Sequence, residues 1–429
     1  MMYSLEILAA FDFLPEEIAV GTLQYERVKG NPSYRFQYDK RFLESFPNVS
    51  LSADLGRFLG LQTSDSGIFR FLGDALPDRW GRDLIDKRER IEAMEDGRIP
   101  RAFDDFGYLV RIDDSSRMGA IRFKYNGQYL GISSGDMIVP PISSLDTYIR
   151  ETQMIEEAER KGSPIRKQWI DNVILPGSSL GGARPKLTII DEEGRLSIAK
   201  IPSANDTYDI GLWEHFASTL ARKAGINVAD TKVFRTGTTP YHTLLSKRFD
   251  RTGNGRRIHF ASSLTLTGLR DGDNAANGKG YIDIIDAMAG DAGVNSLEKN
   301  IRELYRRVAF NILIGNHDDH FRNHGFLLRK DGWELSPAYD LNPTNEITQV
   351  LAITPYSNNA SIKELLDASD YYLIRQKDAA EIIREVAMAV KDWRQLAKNL
   401  RISEQEQERF SQRFEWGLAS AKCAGVRWQ

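Results

Sequence analysis

One stretch constrains this chain more than any other: Asn311-Ile-Leu-Ile-Gly-Asn-His-Asp-Asp-His-Phe-Arg-Asn323. Leu297, Ile301, Leu304, Val308 and Ile312 recur at helical spacing, so an apolar helix runs into a turn at Gly315. Within the eight residues that follow sit two carboxylates, two imidazoles, a guanidinium and two amides. Burying such groups singly is costly, so a fold that places them at the end of an apolar helix must gather them into one site.

The chain has 429 residues, too many for one ordinary core, and two or three domains are expected. Hydrophobic residues at 41% and charged residues at 27% predict a packed globular protein. A net charge of -3 argues against a chain-wide footprint for nucleic acid. The single cysteine, Cys423, excludes an internal disulfide and a cysteine metal cluster, and fits a reducing cytoplasm. No apolar run reaches membrane-spanning length, and the first residues lack a basic region and a cleavage site.

Read in order, residues 1 to 60 predict short strands, with Tyr34, Phe36 and Tyr38 alternating at period two. Trp80 and the Leu76-Pro-Asp78 turn read as packing, and 83–95 as a charged helix. Leu109 to Phe123 reads as a strand pair turning at Asp113 to Ser116. Pro140-Pro141 and nearby serines mark a boundary between 135 and 144, and a helix over 145–160 follows with Ser144 as cap. The expected domains are an accessory domain over 1–140, a small lobe over 141–250 and a helical large lobe over 251–429. Asp378-x-x-Glu381 and Ser403-x-x-Glu406 read as capping boxes on two carboxyl-terminal helices of scaffold type.

Further chemistry surrounds the polar loop. Pro176 to Lys186 is glycine-rich, and its backbone can approach a phosphate closely; Gly181, Gly182, Ala183, Arg184, Pro185 and Lys186 are the residues placed there. Lys186 to Ile190 and Arg195 to Lys200 read as two strands, so Lys200 ends an apolar strand with its ammonium toward that loop. A helix over 209–223 follows, stopped by Gly225, and carries Glu214 as a partner for Lys200. Thr243 to Arg251 suits a hinge. A hairpin with an Asp331-Gly332 turn leads to Leu335-Ser-Pro-Ala-Tyr-Asp340.

Asn323 lies five positions after Asp318, the spacing of a kinase catalytic loop, in which Asp takes the hydroxyl proton and Asn holds magnesium. The ordered set predicts phosphoryl transfer from ATP. Lys200 neutralises charge, Asp318 is the base, and Asn323 and Asp340 hold Mg2+. The fold class it implies is α+β, a protein-kinase-like two-lobed fold with a small β-rich lobe, a large helical lobe and an amino-terminal β-rich accessory domain. Two alternatives stand beside it: a metal-dependent phosphohydrolase built on His317, Asp318 and His320, and a small-molecule phosphotransferase sharing the Asp-to-Asn spacing.

Most of the chain resembles the HipA family, the kinase toxins of type II HipA–HipB toxin–antitoxin modules. The resemblance rests on Ser179-Leu-Gly-Gly-Ala-Arg-Pro-Lys186, Ile198 to Pro202, Arg248-Phe-Asp-Arg251, Ile314 to Asn323 and Leu335 to Asp340. Asp74-Ala-Leu-Pro-Asp-Arg-Trp-Gly81 resembles the family's amino-terminal domain. The resemblance implies a serine/threonine-protein kinase using ATP and Mg2+. Lys247, Arg248 and Phe249 would line the adenine, His320 and Arg322 would lie against the nucleotide, and Ser179 would be the autophosphorylation site. It also implies a small DNA-binding HipB-like antitoxin as partner, DNA contact only through it, and a protein substrate of translation such as an aminoacyl-tRNA synthetase. His317 and Asp319 flank the base where the family's best-studied pattern has Thr and Gly, and both are expected to shape the acceptor site.

Overall fold

The computed structural model describes residues 2–65, 67–131, 139–177, 184–290 and 292–427. Ser179, Gly181, Gly182 and Ala183 lie outside the described residues, as does much of the boundary expected between 135 and 144. The chain divides into two compact bodies, one made of 1–207 and 234–261, the other of 208–233 and 262–429.

The first body begins with a six-stranded antiparallel sheet. Its strands are β1 (Tyr3–Ala9), β2 (Ile18–Val28), β3 (Asn31–Tyr38), β4 (Gln62–Thr63), β5 (Ile121–Tyr125) and β6 (Gln128–Tyr129), in the order β4-β3-β2-β1-β5-β6. Tyr34, Phe36 and Tyr38 are buried on one face of β3, as their alternation predicts. Helices α1 (Lys40–Ser45), α2 (Arg70–Gly73), α3 (Arg79–Glu95) and α4 (Asp105–Leu109) fall between strands of this sheet.

The strand pair expected over 109–123 is not there. Asp104 caps α4 by accepting from the Gly107 N–H at 3.0 Å, so Leu109 ends a helix and only Ile121 to Phe123 is strand. The physical cause lies in Arg117, which is fully buried. Its guanidinium donates to the carbonyls of Ala75, Leu109 and Ile112, groups that a strand ladder would otherwise use.

Helices α5 (Leu145–Arg160) and α6 (Lys167–Gly177) and strands β7 (Lys186–Ile190) and β8 (Leu196–Lys200) follow in the same body. The helix over 145–160 is present, but a 3₁₀ turn at Ile142–Ser144 leads into it and the Ser144 side chain makes no capping bond. One hydrophobic core joins Trp80, Leu84 and Ile85 of α3 with Leu145 and Ile149 of α5, Ile170 and Val173 of α6, and Leu187, Ile189 and Ala199 of the strands. Trp80 is therefore a packing residue. Strand β7 pairs antiparallel with β8.

In the second body, α7 (Ile210–Lys223) is capped by Asp209, which accepts from the Leu212 N–H at 3.0 Å. Strand β9 (Thr231–Phe234) and strand β11 (His259–Ser262) lie where the chain passes from one body to the other; β10 (Thr243–Lys247) lies in the first and pairs antiparallel with β8. Helices α8 (Ser263–Thr267), α9 (Tyr281–Ala289) and α10 (Leu297–Ile314), the hairpin β12 (Gly325–Arg329) and β13 (Gly332–Leu335), and helices α11 (Ile362–Asp367), α12 (Gln376–Val390), α13 (Trp393–Asn399) and α14 (Glu404–Cys423) complete it. The Ile301, Leu304, Val308 and Ile312 stripe of α10 is buried, and α10 packs against α12 and α14. Aromatic contacts tie the helices together, with Trp213 4.7 Å from Phe410 and Trp393 stacked 4.5 Å from Phe414.

The two carboxyl-terminal caps differ from expectation. Helix α12 starts three residues earlier than Asp378-x-x-Glu381 predicts, with Arg375 at its N-cap. Asp378 instead sits in the first turn, where it accepts from Arg375 Nε at 2.7 Å and faces the positive end of the helix. Ser403 does cap α14 through the Glu406 N–H, but the Glu406 carboxylate turns to the Asp209 N–H at 2.9 Å rather than back to Ser403. Among the described residues, no helix is long and apolar enough to cross a membrane.

Candidate active site

Helix α10 builds the site in the second body from both ends. Near its start, Asn300 Oδ1 accepts from the Leu335 N–H at 2.8 Å. One turn before Asn311, Arg307 donates to the Ser336 carbonyl at 2.7 Å. These bonds hold the segment that leads to Asp340. At its far end Gly315, with φ +75, closes the helix through its N–H to the Asn311 carbonyl at 2.9 Å. The chain then enters the polar loop, which ends in a 3₁₀ turn over Phe321–Asn323.

Two adjacent carboxylates point opposite ways. Asp318 is exposed. Asp319 is buried, 2% exposed, and its Oδ2 accepts from the Tyr281 hydroxyl at 2.6 Å, Asn311 Nδ2 at 2.7 Å and His324 Nε2 at 2.8 Å. Burial alone would raise the Asp319 pKa, but the charge and hydrogen bond of His324 and the Tyr281 hydroxyl outweigh it, and the pKa is lowered. Tyr281 is pushed well above its ordinary value, first by burial and then by the neighbouring carboxylate. Asp319 therefore does not face an acceptor, contrary to expectation; it anchors the loop from beneath.

Asn323 donates through Nδ2 to the Asp318 carbonyl at 2.9 Å, which leaves its Oδ1 as the group able to meet a cation. Asp340 adopts a left-handed backbone, φ +61, and its Oδ1 accepts from Asn342 Nδ2 at 3.3 Å. An amide oxygen and a carboxylate are hard donors of the kind magnesium takes beside substrate phosphates, so this donor set fits Mg2+. His317 binds the Thr348 carbonyl through Nδ1 at 2.7 Å, so Nδ1 carries the proton. His320 is half-buried, with its Nδ1 enclosed and no hydrogen-bond partner for that atom among the described residues. Arg322 is exposed and pairs with Asp271 at 3.1 Å, while its carbonyl accepts from the Tyr339 hydroxyl. Among the described residues, no three His, Cys, Asp or Glu side chains come together as a metal-holding group. His317, Asp318 and His320 thus do not form the ligand set that a metal phosphohydrolase requires.

The first body holds the other expected residues. Lys200 is half-buried at the end of β8, opposite Lys186 and Leu244 in the ladders. Lys186 is buried and lies 3.3 Å from Asp78, the residue that caps α3. Burial pushes the Asp78 carboxyl up to about 6 against the pull of Lys186. The Lys186 ammonium is thus engaged with Asp78 in this structure. Arg184 forks onto Asp206 at 2.9 and 2.5 Å, and the Pro185 carbonyl accepts from the Ile201 N–H at 2.9 Å.

Lys247 ends β10 opposite Ser197, and the Phe249 ring lies 6.1 Å from that of Phe260. The Arg248 side chain does not line an adenine. It is buried, donating to the Ser116 and Arg117 carbonyls at 2.6 and 3.0 Å and to both oxygens of Asp250, while its N–H binds the Leu196 carbonyl. Glu214 sits on α7 of the second body and is 4% exposed, so it faces inward rather than solvent.

Sequence reasoning missed Tyr281 and Asn342, and gave no role to Asn311 or Asn316 although both lie in the stretch it singled out. The available signal was an amide at 311 inside an otherwise apolar helical run, since a polar group on a buried face needs a partner.

A family model for the HipA-like C-terminal domain matches residues 178–393, just over half of the chain. The chain belongs to the HipA family. A second model, for the HipA N-terminal domain, matches residues 13–124. A relative from Shewanella oneidensis, the serine/threonine-protein kinase toxin HipA, is 28% identical over 350 residues, covering 76% of this chain and 73% of the relative. The solved complex of Shewanella oneidensis HipA, HipB and operator DNA aligns over 98% of this chain and 97% of that one, with TM-score 0.67 and 20% identity. A proinflammatory kinase of Helicobacter pylori aligns over 58% of this chain and 93% of its own, with TM-score 0.47 and 15% identity. The fold is accordingly the α+β, kinase-like fold of HipA.

Proposed function

We propose that this chain is an ATP-dependent serine/threonine-protein kinase toxin. The observation that carries the reading is the loop over 316–323, where an exposed Asp318 precedes by five residues an Asn323 whose amide is tied to the Asp318 carbonyl. Asp318 takes the proton of a Ser or Thr hydroxyl as that oxygen bonds to the γ-phosphorus; the bond from phosphorus to the β,γ-bridging oxygen breaks and ADP leaves. Asn323 Oδ1 and the Asp340 carboxylate would hold magnesium, which supplies neutralisation of phosphate charge when bound. Lys200 is proposed as a cation for the phosphates. Lys247 and Phe249 are proposed at the adenine, and His320 and Arg322 at the nucleotide.

The named relative, a serine/threonine-protein kinase toxin, supports protein as the substrate class. The related complex with HipB and operator DNA supports a small DNA-binding antitoxin as partner, with DNA reached through it. A target in translation, such as an aminoacyl-tRNA synthetase, and autophosphorylation at Ser179 complete the proposal; phosphate there adds close to two negative charges to a loop meant for ATP.

Asp318→Asn should lower phosphoryl transfer by on the order of 10²- to 10⁴-fold, the usual scale for a positioned acid or base. Transfer near the wild-type rate in that variant overturns the assignment. Mass spectrometry after incubation with ATP and magnesium should find phosphate on Ser179 in the wild type and none in Asp318→Asn.

A further inference from the structure

Three buried side chains, Asp319, Asn311 and Asn316, form a hydrogen-bonded chain from beneath the base to the backbone of Asn342, in the segment bearing Asp340. Asp319 Oδ2 accepts from Asn311 Nδ2 at 2.7 Å. Asn311 Oδ1 accepts from Asn316 Nδ2 at 3.1 Å, and Asn316 Oδ1 accepts from the Asn342 N–H at 3.0 Å. Asn342 Nδ2 in turn reaches Asp340 Oδ1 at 3.3 Å. Asn311, Asn316 and Asp319 are 1%, 1% and 2% exposed, so none of them can touch substrate from solvent.

The polarity of this chain is determined by its anchor. An ionised carboxylate only accepts, so Asn311 must present its NH₂ to Asp319 and its oxygen to Asn316. Asn316 must then give its NH₂ to Asn311, and its own oxygen is left for the Asn342 N–H. A neutral acceptor at 319 would not impose that order, because an amide can turn over. The Tyr281 hydroxyl and His324 Nε2 complete the anchor, bringing α9 and the residue before β12 onto the same oxygen.

We propose that Asp319, Asn311 and Asn316 are positioning residues for phosphoryl transfer, a directional strut that sets the base Asp318 against the cation-holding Asp340. The inference rests on the kinase reading above. Asp318 and Asn316 are two residues apart on one loop, and Asn342 is two residues past Asp340. The strut therefore joins the two segments close to the groups whose separation matters. Its loss displaces one relative to the other while leaving the nucleotide's other contacts alone.

The test uses the full chain with ATP, magnesium and a protein acceptor, the Ser179-bearing loop of the same chain serving where no other acceptor is in hand. Asn316→Ala and Asp319→Asn are compared with wild type, rates being expressed per ATP-binding site from nucleotide titration. Expected is a fall in kcat of about 10- to 100-fold, the scale for groups that orient metal ligands. KM for ATP should stay within about twofold, and the magnesium concentration at half-maximal rate should rise. Tyr281→Phe, which removes one donor and keeps the ring, should show a smaller fall in kcat in the same direction, and serves if the other two fold poorly. Unchanged kcat and magnesium dependence per binding site, with only a lower Tm, would make the network merely structural and overturn the proposal. Absence of transfer in wild type as well would overturn the kinase reading instead.

Discussion

Gly315→Ala separates backbone strain from crowding, because the second body contains its own control. Gly315 and Gly278 share φ +75, the left-handed region that costs an L-residue about 1–2 kcal/mol. A Cβ at Gly278 meets nothing within 4 Å. A Cβ at Gly315 would lie 2.4 Å from Arg413 Nε, 2.5 Å from the Thr344 carbonyl oxygen and 2.7 Å from Arg413 Cγ. Neither neighbour can yield easily. Arg413 is buried and donates to the Ile312 carbonyl at 2.6 Å, and the Thr344 N–H binds the Gly315 carbonyl at 2.8 Å. Forced crowding of this kind adds about 1–3 kcal/mol. Both substitutions gain the same entropy in the unfolded chain, about 0.4–1 kcal/mol, which cancels between them. Gly278→Ala should thus cost about 0–1.6 kcal/mol and Gly315→Ala about 1–4.6 kcal/mol, the crowding of about 1–3 kcal/mol being the difference between them. Urea denaturation followed by fluorescence of the second body's Trp213, Trp333 and Trp393 measures the difference. Two variants within about 0.5 kcal/mol of each other would show that the turn relaxes freely and would refute the reasoning.

In the first body, Asp250 is fully buried and accepts from Arg248, Arg251 and the Gly119 N–H at 2.8 Å. Asp250→Ala leaves two buried guanidiniums unpaired and should cost about 3–5 kcal/mol by chemical denaturation; a loss below about 1 kcal/mol would count against it. Although burial alone would raise the Asp250 pKa, the charges of Arg248 and Arg251 bring it down. Its contribution is accordingly present above the ordinary carboxylate range and is lost as pH falls below about 4. Burial depresses the His259 pKa from 6.5 to about 3. A depressed histidine favours the fold at neutral pH and withdraws that support as pH falls from 6.5 toward 3, by up to about 5 kcal/mol. His259 also stacks on Phe11, so His259→Phe should keep the packing and flatten the stability–pH profile over that window in a thermal-melt series.

Local patterns carried much of this protein on their own. The period-two alternation of β3, the apolar stripe of α10, the Ser403 cap and the Gly315 stop were legible because each depends on residues a few positions apart, where backbone geometry leaves little choice. The spacing of Asp318 and Asn323 belongs to the same class, a short loop whose own hydrogen bond closes it. Long-range satisfaction decided the rest. Arg117 took the carbonyls of a segment that reads as strand, and Arg248 turned from an expected nucleotide to the Ser116–Arg117 turn. Lys186 was matched with Asp78, more than a hundred residues away. Of two adjacent aspartates, identical in type, one faces solvent and the other sits under three donors drawn from α9, α10 and the residue before β12. No local rule distinguishes them, because a buried charge is tolerated only where distant parts of the chain converge to meet it.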